Sequence, residues 1–529
     1  MAHESPAAPD HQEEVKVLPF LISVEEIFEQ SIGLLTLTQI LQSIFTSLSP
    51  FFESLQTFIS IFTHAQPTWH CTGTNNTSCV ANKSNLCNLA RSDWAWDGSR
   101  NVHTSIISEW NLECASSFIT GLPATSYFVG CLLGGLVLAT LGDSSLGRKN
   151  LLCISSLVLY VAALASAFAP NIWVYSVFRF LSGVGRAPLP MCAIILFTER
   201  VSKKWRSQAV MLGFISSSLG LLVLTGISYI CKGYSWRILY LLTSIPGIIF
   251  TILAYFFMYE SPRWLLLQGR ERDAIDVLTS LGRHTSSQMS LSLEMIVKYT
   301  QQNLRNNTSN SNSNSNNPFA SYKILMSKRW AAKRLIVSML LAFGIGLMYF
   351  GMFLGVGGLG SDIYLTSVYH ALLSLSSSLL AFLFWIPRCN RRISLLGFCT
   401  LSGAMSMILS IIGKGKVGGG LLLGMELISM FSACMAYNMA MMYIVELFPT
   451  CIRSSASSLV RQATNLGTVL DPILVLLGRG NLLYSYGVFG LAMLLCGFLV
   501  ILLPETRNQV LCDTMEEQEL RDKEKTVNL

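Results

Sequence analysis

The sequence predicts an all-α membrane protein of twelve transmembrane helices, arranged as two pseudo-symmetric six-helix halves. Three observations predict it. First, the 529 residues are 51% hydrophobic and only 13% charged, with a mean hydropathy of +0.49. That is not the composition of a soluble globule. Second, apolar runs long enough to cross a bilayer recur along the chain, at 33–62, 119–140, 151–169, 173–197, 208–230, 237–258, 334–357, 363–386, 393–412, 418–444, 455–478 and 483–503. Third, landmarks of the first half return about 245 residues later: Glu199 with Arg206 returns as Glu446 with Arg453, Glu260-Ser261-Pro262-Arg263 as Pro504-Glu505-Thr506-Arg507, and Gly147-Arg148-Lys149 as Asn390-Arg391-Arg392. Parallel repeats of six helices are how one large class of secondary transporters is built, with the substrate held near the midplane between the halves.

Taken in order, residues 1–32 form a polar, acidic tail without the basic and short apolar regions of a cleavable signal peptide. The first six-helix bundle spans 33–258 and contains an extracytosolic loop at 63–118. That loop carries Cys71, Cys79, Cys87 and Cys114, together with sequons at Asn75, Asn76 and Asn82. An even cysteine count beside glycosylation signals predicts an oxidising lumen and two disulfides, for which three pairings are open. Residues 259–333 form a cytosolic linker, opening with an amphipathic stretch from Arg270 to Leu281 and continuing through an Asn/Ser run, 306–317, that need not fold. The second bundle spans 334–503, and 504–529 form a cytosolic tail. Charge fixes the orientation. Seven Lys and Arg lie in the outer loops and four in or beside helices, which leaves 26 of the 37 on the inner side, as cytosolic termini require. The net charge of +7 therefore reports topology, not nucleic-acid binding.

The turn between the second and third spans reads G-D-S-S-L-G-R-K from Gly142 to Lys149. An acid and two bases at such a turn can bridge helix ends and latch one conformation. This string resembles the main signature of the major facilitator superfamily, with one extra residue between Asp143 and Gly147. In the second-half copy Pro387 stands in place of the acid and Asn390 in place of the glycine, so the latch is expected to rest mainly on Asp143 and Arg148. The string Glu260 to Leu265 is similar to sugar-porter and organic-ion branches. Glu446-Leu447-Phe448-Pro449-Thr450 with Arg453, and Glu109-Trp110-Asn111-Leu112 with Cys114, are similar to the organic cation/anion/carnitine branch. The string G-D-S-S-L-G-R-K-N and the Gly-Val-Gly-Arg run ending at Arg186 resemble the plant organic cation/carnitine transporters, a resemblance that covers nearly the whole chain. Asp143, Arg148, Glu199, Arg206, Glu260, Arg263, Glu446 and Arg453 are read as gating residues. The seventh span (Leu347 to Gly351) lacks the Gln-Gln pair that the sugar branch uses.

Ionisable residues inside hydrocarbon are costly and are functional candidates. Counting 1.5 Å per residue puts Glu53 and Glu426 near the outer ends of their spans, Asp471 in an outer half, Arg461 in an inner third and Arg186 at mid-depth. Tyr127, Tyr175, Phe178, Tyr349, Phe350 and Tyr437 are candidates for an aromatic cage that holds a quaternary ammonium without hydrogen bonds. The resemblance places Asn465 where animal cation carriers have Asp and anion or carnitine carriers have Arg, and aligns Asn438 with a pocket Gln. Arg461 lies one turn before Asn465 on the same face. The substrate-binding candidates are therefore Arg461, Asn465, Asp471, Asn438, Tyr349, Phe350, Tyr127, Tyr175 and Glu53. Arg461 and Asp471 serve equally well as an inter-helix tie and a helix-kink residue, and Arg179 and Arg186 as tethers to backbone carbonyls.

Enzyme chemistry finds no footing. There is no zinc spacing of His and Cys and no P-loop, so no metal, cofactor or direct ATP drive is expected. The expected function is alternating-access transport of a small organic cation or a zwitterion such as carnitine across a lipid bilayer, with a proton or sodium ion as coupling partner. An organic anion or sugar-like carrier, and a transport-inactive sensor, are the alternatives. The resemblance favours the vacuolar membrane over the plasma membrane.

Overall fold

The structure is a computed structural model that describes residues 36–72, 86–89, 91–96, 104–138, 146–201, 206–281, 325–326, 328–356, 362–385, 388–412, 419–478, 481–507, 515 and 518–521. Twelve long helical segments account for most of them: α1 Leu37–Phe58, α2 Ser117–Leu138, α3 Arg148–Ser166, α4 Ile172–Arg200, α5 Arg206–Ile230, α6 Trp236–Phe257, α7 Arg329–Leu354, α8 Ile363–Trp385, α9 Arg391–Ile412, α10 Gly419–Leu447, α11 Thr450–Gly478 and α12 Leu482–Leu502. Short polar side chains start several of them. Thr36 Oγ1 accepts from the Gln39 amide, Asn171 Oδ1 from Val174, and Asp362 Oδ1 from Tyr364 and Leu365. Prolines 50, 123, 246 and 472 sit inside α1, α2, α6 and α11, as membrane helices tolerate.

Two helix starts differ from expectation. α1 begins at Leu37, where Thr36 caps it, and α7 reaches back to Arg329 through a basic inner turn. α4 is broken once, between Arg186 and Leu189, because Pro188 cannot donate into the ladder.

The packing repeats with a shift of six helices. α1 packs on α5 as α7 packs on α11, α3 on α6 as α9 on α12, and α3 on α4 as α9 on α10. The halves meet through α2 with α11 and α5 with α8, a pair that the same shift exchanges. At the α2–α4 crossing Gly130 faces the Phe180 carbonyl and Gly183 faces the Tyr127 carbonyl so closely that no Cβ fits at either place.

Two features lie outside the bundle. The outer loop carries a small antiparallel ribbon, β1 Trp69–Cys71 on β2 Trp94–Trp96, which the all-helical expectation did not include. Cys87 is joined to Cys114, and Cys71 is also disulfide-bonded. Cys79 and the sequons Asn75, Asn76 and Asn82 lie outside the described residues. Glu109 ties this loop to the bundle: its carboxylate accepts from Arg237 at 2.6 Å and from the Trp236 indole at 2.7 Å, while Arg237 also donates to the Ala167 and Ala169 carbonyls. On the inner side the helix Glu271–Leu281 ends against the start of α1, where Thr36 Oγ1 (2.7 Å) and Gln39 Nε2 (3.1 Å) donate to the Leu281 carbonyl.

Candidate functional site

Helices from both halves converge on a central cavity of about 80 Å³, lined by side chains of α1, α4, α5, α7, α8, α10 and α11. Its charge is set by three residues. Glu53 of α1 forms an ion pair with Arg186 of α4, Oε1 to Nε 2.9 Å, with both side chains nearly buried. Arg461 of α11 lines the same cavity within electrostatic reach of Glu53, and makes no hydrogen bond or ion pair to the described residues. Two guanidiniums face one carboxylate, so the site carries a net charge of one positive. Glu53 lies five residues before the outer end of α1, as expected, and stands level with Arg186, the midpoint of α4.

Aromatic rings form the other wall. Tyr349 stacks on Tyr437 with centroids 4.3 Å apart, Phe350 meets Tyr437 at 6.2 Å, and Phe214 meets Tyr437 at 6.0 Å from the other half. Phe58 of α1 packs on Phe350 at 6.1 Å, and the Arg186 guanidinium lies 5.9 Å over the Phe350 ring. All five rings line the cavity. Asn438 adds polarity beside them, held by hydrogen bonds to the Ser377 and Ser378 hydroxyls.

Five of the nine expected residues thus share one cavity: Glu53, Tyr349, Phe350, Asn438 and Arg461. The other four do not line it. Tyr127 is fully buried, bonded to the Thr57 hydroxyl at 3.0 Å beneath the Arg179 guanidinium, which itself donates to the Gln56 carbonyl. Tyr175 points outward into a network with Tyr240 (2.6 Å) and His64 (3.3 Å). Asn465 is buried against Gln462, and Asp471 is buried with neither oxygen hydrogen-bonded among the described residues. Sequence reasoning missed Phe58 and Phe214, which become cage walls only when the halves come together. It also missed Arg200, buried at the inner end of α4 with bonds to Gln42 and Thr46, although its place beside Glu199 was a signal.

A wider vestibule of about 610 Å³ opens at the outer end. Between it and the cavity Phe58 packs on Phe353 at 4.8 Å, and one turn outward Phe62 stacks on Tyr364 at 5.7 Å in the vestibule wall, both pairs joining the halves.

The inner-edge residues work within each half. Glu260 accepts the Arg148 and Lys149 amides at 3.2 and 3.1 Å, and Glu505 accepts the Arg391 and Arg392 amides at 2.9 and 3.0 Å. Each carboxylate caps the N-terminus of the helix that follows its half's basic turn. Glu446 pairs with Arg391 at 3.3 Å and accepts the Thr506 hydroxyl at 2.7 Å, while Arg453 Nε donates to the Phe448 carbonyl. The second-half turn therefore retains an ion pair on Arg391, a residue not among the expected gating set because the turn has lost its acid. Arg263 lies on the short helix Pro262–Leu267 and Glu199 beside Arg200. Asp143, Pro387 and the Arg206 side chain lie outside the described residues.

Residues 54–517 match the family model described as sugar (and other) transporter. The chain is 46% identical over 507 residues to organic cation/carnitine transporter 2 of Arabidopsis thaliana, covering 96% of this chain and 95% of that one. It is 45% identical to organic cation/carnitine transporter 3 of the same plant, over 98% and 97% of the two chains, and 28% identical to human solute carrier family 22 member 13, over 81% and 74%. Among solved structures it is similar in fold to the partially occluded inward-open xylose transporter XylE of E. coli, with a TM-score of 0.63 at 15% identity over 90% of this chain and 99% of that one.

Proposed function

The chain belongs to the organic cation/carnitine transporters of the sugar (and other) transporter family, and from that premise we propose that it carries a zwitterion of the carnitine type by alternating access. One observation carries the reading. Glu53, the acid that would draw a simple cation, is already neutralised by Arg186, and Arg461 is left over beside an aromatic cage. Arg461 takes the substrate carboxylate through charge-assisted hydrogen bonds. The rings of Phe58, Phe214, Tyr349, Phe350 and Tyr437 take a trimethylammonium, which has no N–H to donate and is held by ring quadrupoles and apolar contact. A bare cation leaves Arg461 uncompensated, and a bare anion leaves the cage unused. The step is binding and rocking of the halves, with no covalent chemistry. The resemblance to the plant carriers supports the vacuolar membrane ahead of the plasma membrane.

The test is uptake by the purified full chain in proteoliposomes. Labelled carnitine is expected to accumulate in saturable fashion and to be displaced by betaine-like zwitterions. If only dicarboxylates compete, the organic-anion reading, which the net positive charge also favours, replaces this one.

A further inference from the structure

A second buried acid cluster of the second half lies outside the central cavity. Glu426 of α10 is buried seven residues below the outer end of its helix, about 10 Å into the bundle. One of its oxygens, Oε1, accepts the Tyr486 hydroxyl of α12 at 2.7 Å and lies 4.0 Å from His370 Nε2 of α8. His370 is fully buried and neither ring nitrogen has a hydrogen-bond partner among the described residues. The facing helices supply nothing to balance an ionised carboxylate. α9 presents the Ser402 hydroxyl, exchanged with Ser429, and the buried Cys399; α7 presents Phe353 and Tyr349; α11 carries the buried acid Asp471. Every Lys and Arg among the described residues of α7 to α12 stands in the inner half. A lone carboxylate at this depth is costly unless it holds a cation.

The surroundings say which cation and by what route. One carboxylate, one phenol and one imidazole offer too few oxygens for sodium, which wants a cage of oxygen ligands, whereas a proton needs a single oxygen and a neighbour to share it. Tyr486 lines the outer vestibule, so water reaches the cluster from that side. On the opposite flank His370 meets Phe353 at 5.9 Å, and Phe353 meets Tyr349 of the cage at 4.9 Å. The cluster thus bridges vestibule and cage.

We propose that Glu426, with His370 and Tyr486, is the proton-binding site that couples transport to a pH gradient. Resting on the carrier reading above, it takes one proton from vestibule water onto the Glu426 carboxylate and returns it to water on the other side of the cycle. Glu426 is not among the residues that line the central cavity, so proton and substrate are held together, and the coupling is symport.

The experiment uses the full chain in proteoliposomes with labelled carnitine as probe. With an outside-acid gradient applied from the vestibule side, accumulation is expected to rise several-fold over equal pH, and a sodium gradient is expected to do nothing. Glu426→Gln, which can still accept from Tyr486, is expected to lose the gradient response while carnitine counterflow at equal pH stays within about twofold of the parent. Retained pH-driven accumulation in this variant, or a parent driven by sodium or by no gradient, overturns the proposal. If Glu426→Gln fails to fold, Tyr486→Phe decides: a shifted pH for half-maximal uptake supports the site, and an unchanged profile overturns it. Absence of any carnitine counterflow in the parent sinks the substrate reading alone. The proton site is then read without substrate, as a pH-dependent carboxylic-acid band in infrared difference spectra, expected in the parent and absent from Glu426→Gln; a band that persists in the variant overturns it.

Discussion

Glu53 and Arg186 meet at 2.9 Å in the middle of the first half, on helices 1 and 4, with less than about a tenth of either side chain exposed. Each is the other's main compensation, so each is damaging to lose alone. Glu53→Gln is expected to lower stability by about 3–5 kcal/mol, because a guanidinium is left buried and unpaired. The joint replacement Glu53→Leu with Arg186→Leu is expected to recover most of it. Denaturation of detergent-solubilised protein measures both.

Arg461 has the opposite character, a guanidinium in the cavity wall with no hydrogen bond or ion pair to the described residues. Arg461→Leu is expected to reduce carnitine uptake by about 10- to 100-fold, the worth of a hydrogen bond to a charged group at about 1.5–3 kcal/mol. Tetraethylammonium uptake is expected to be unchanged or to rise. A parallel fall in both substrates would assign Arg461 to structure.

The Tyr349–Tyr437 stack separates ring from hydroxyl. Tyr437→Ala is expected to raise the KM for carnitine by about 5- to 30-fold, and Tyr437→Phe to leave it within about threefold, since a desolvated cation–π contact contributes about 1–2 kcal/mol. Concentration-dependent uptake distinguishes them.

Glu260 and Glu505 hold helix starts, not substrate. Glu260→Ala and Glu505→Ala are each expected to cost about 1–2 kcal/mol of stability and to slow transport. The ranking of competing substrates is expected to stay the same. Arg391→Gln is expected to slow transport in the same way, as is Arg206→Gln. A changed ranking in any of them counts against a latch.

Outside the membrane, Glu109→Gln is expected to loosen the outer loop from α6 by removing the ionic part of the Arg237 contact. Faster proteolysis of residues 63–116 in intact vesicles, with carnitine KM unchanged, is the readout.

Much of this was legible before any coordinates. Apolar run lengths point to the helices and the 245-residue offset to the halves. Arg461 is reached through its i,i+4 relation to Asn465, Asn438 through the family resemblance, and Tyr349 and Phe350 through residue type and position. What stayed hidden was every relation across a long separation. Glu53 reads as a free acid until Arg186, far along the chain, is seen against it. Phe58 and Phe214 look like ordinary lipid-facing residues until the halves close. The backbone amides of Arg148 and Lys149 that Glu260 accepts are contacts which no side-chain pattern announces. Glu426 was seen as a buried acid, but His370 and Tyr486 come from separate helices.

Among the described residues, ten of the twelve helices are long and apolar enough to cross a membrane, and the two that are not are α1 and α11, the helices that bring Glu53 and Arg461 to the cavity. This bears on how the protein is made. α1 leaves the ribosome first, yet it is rich in Gln, Ser and Thr and carries a glutamate, so lipid is a poor solvent for it. Its principal partner is α5, which begins more than a hundred residues later and whose Ser216 hydroxyl bonds the Ser47 carbonyl at 2.6 Å. Until α5 is synthesised, α1 has to wait at the edge of the bilayer or in the care of the insertion machinery. Chains truncated before α5 will leave α1 extractable, and chains that include it will not.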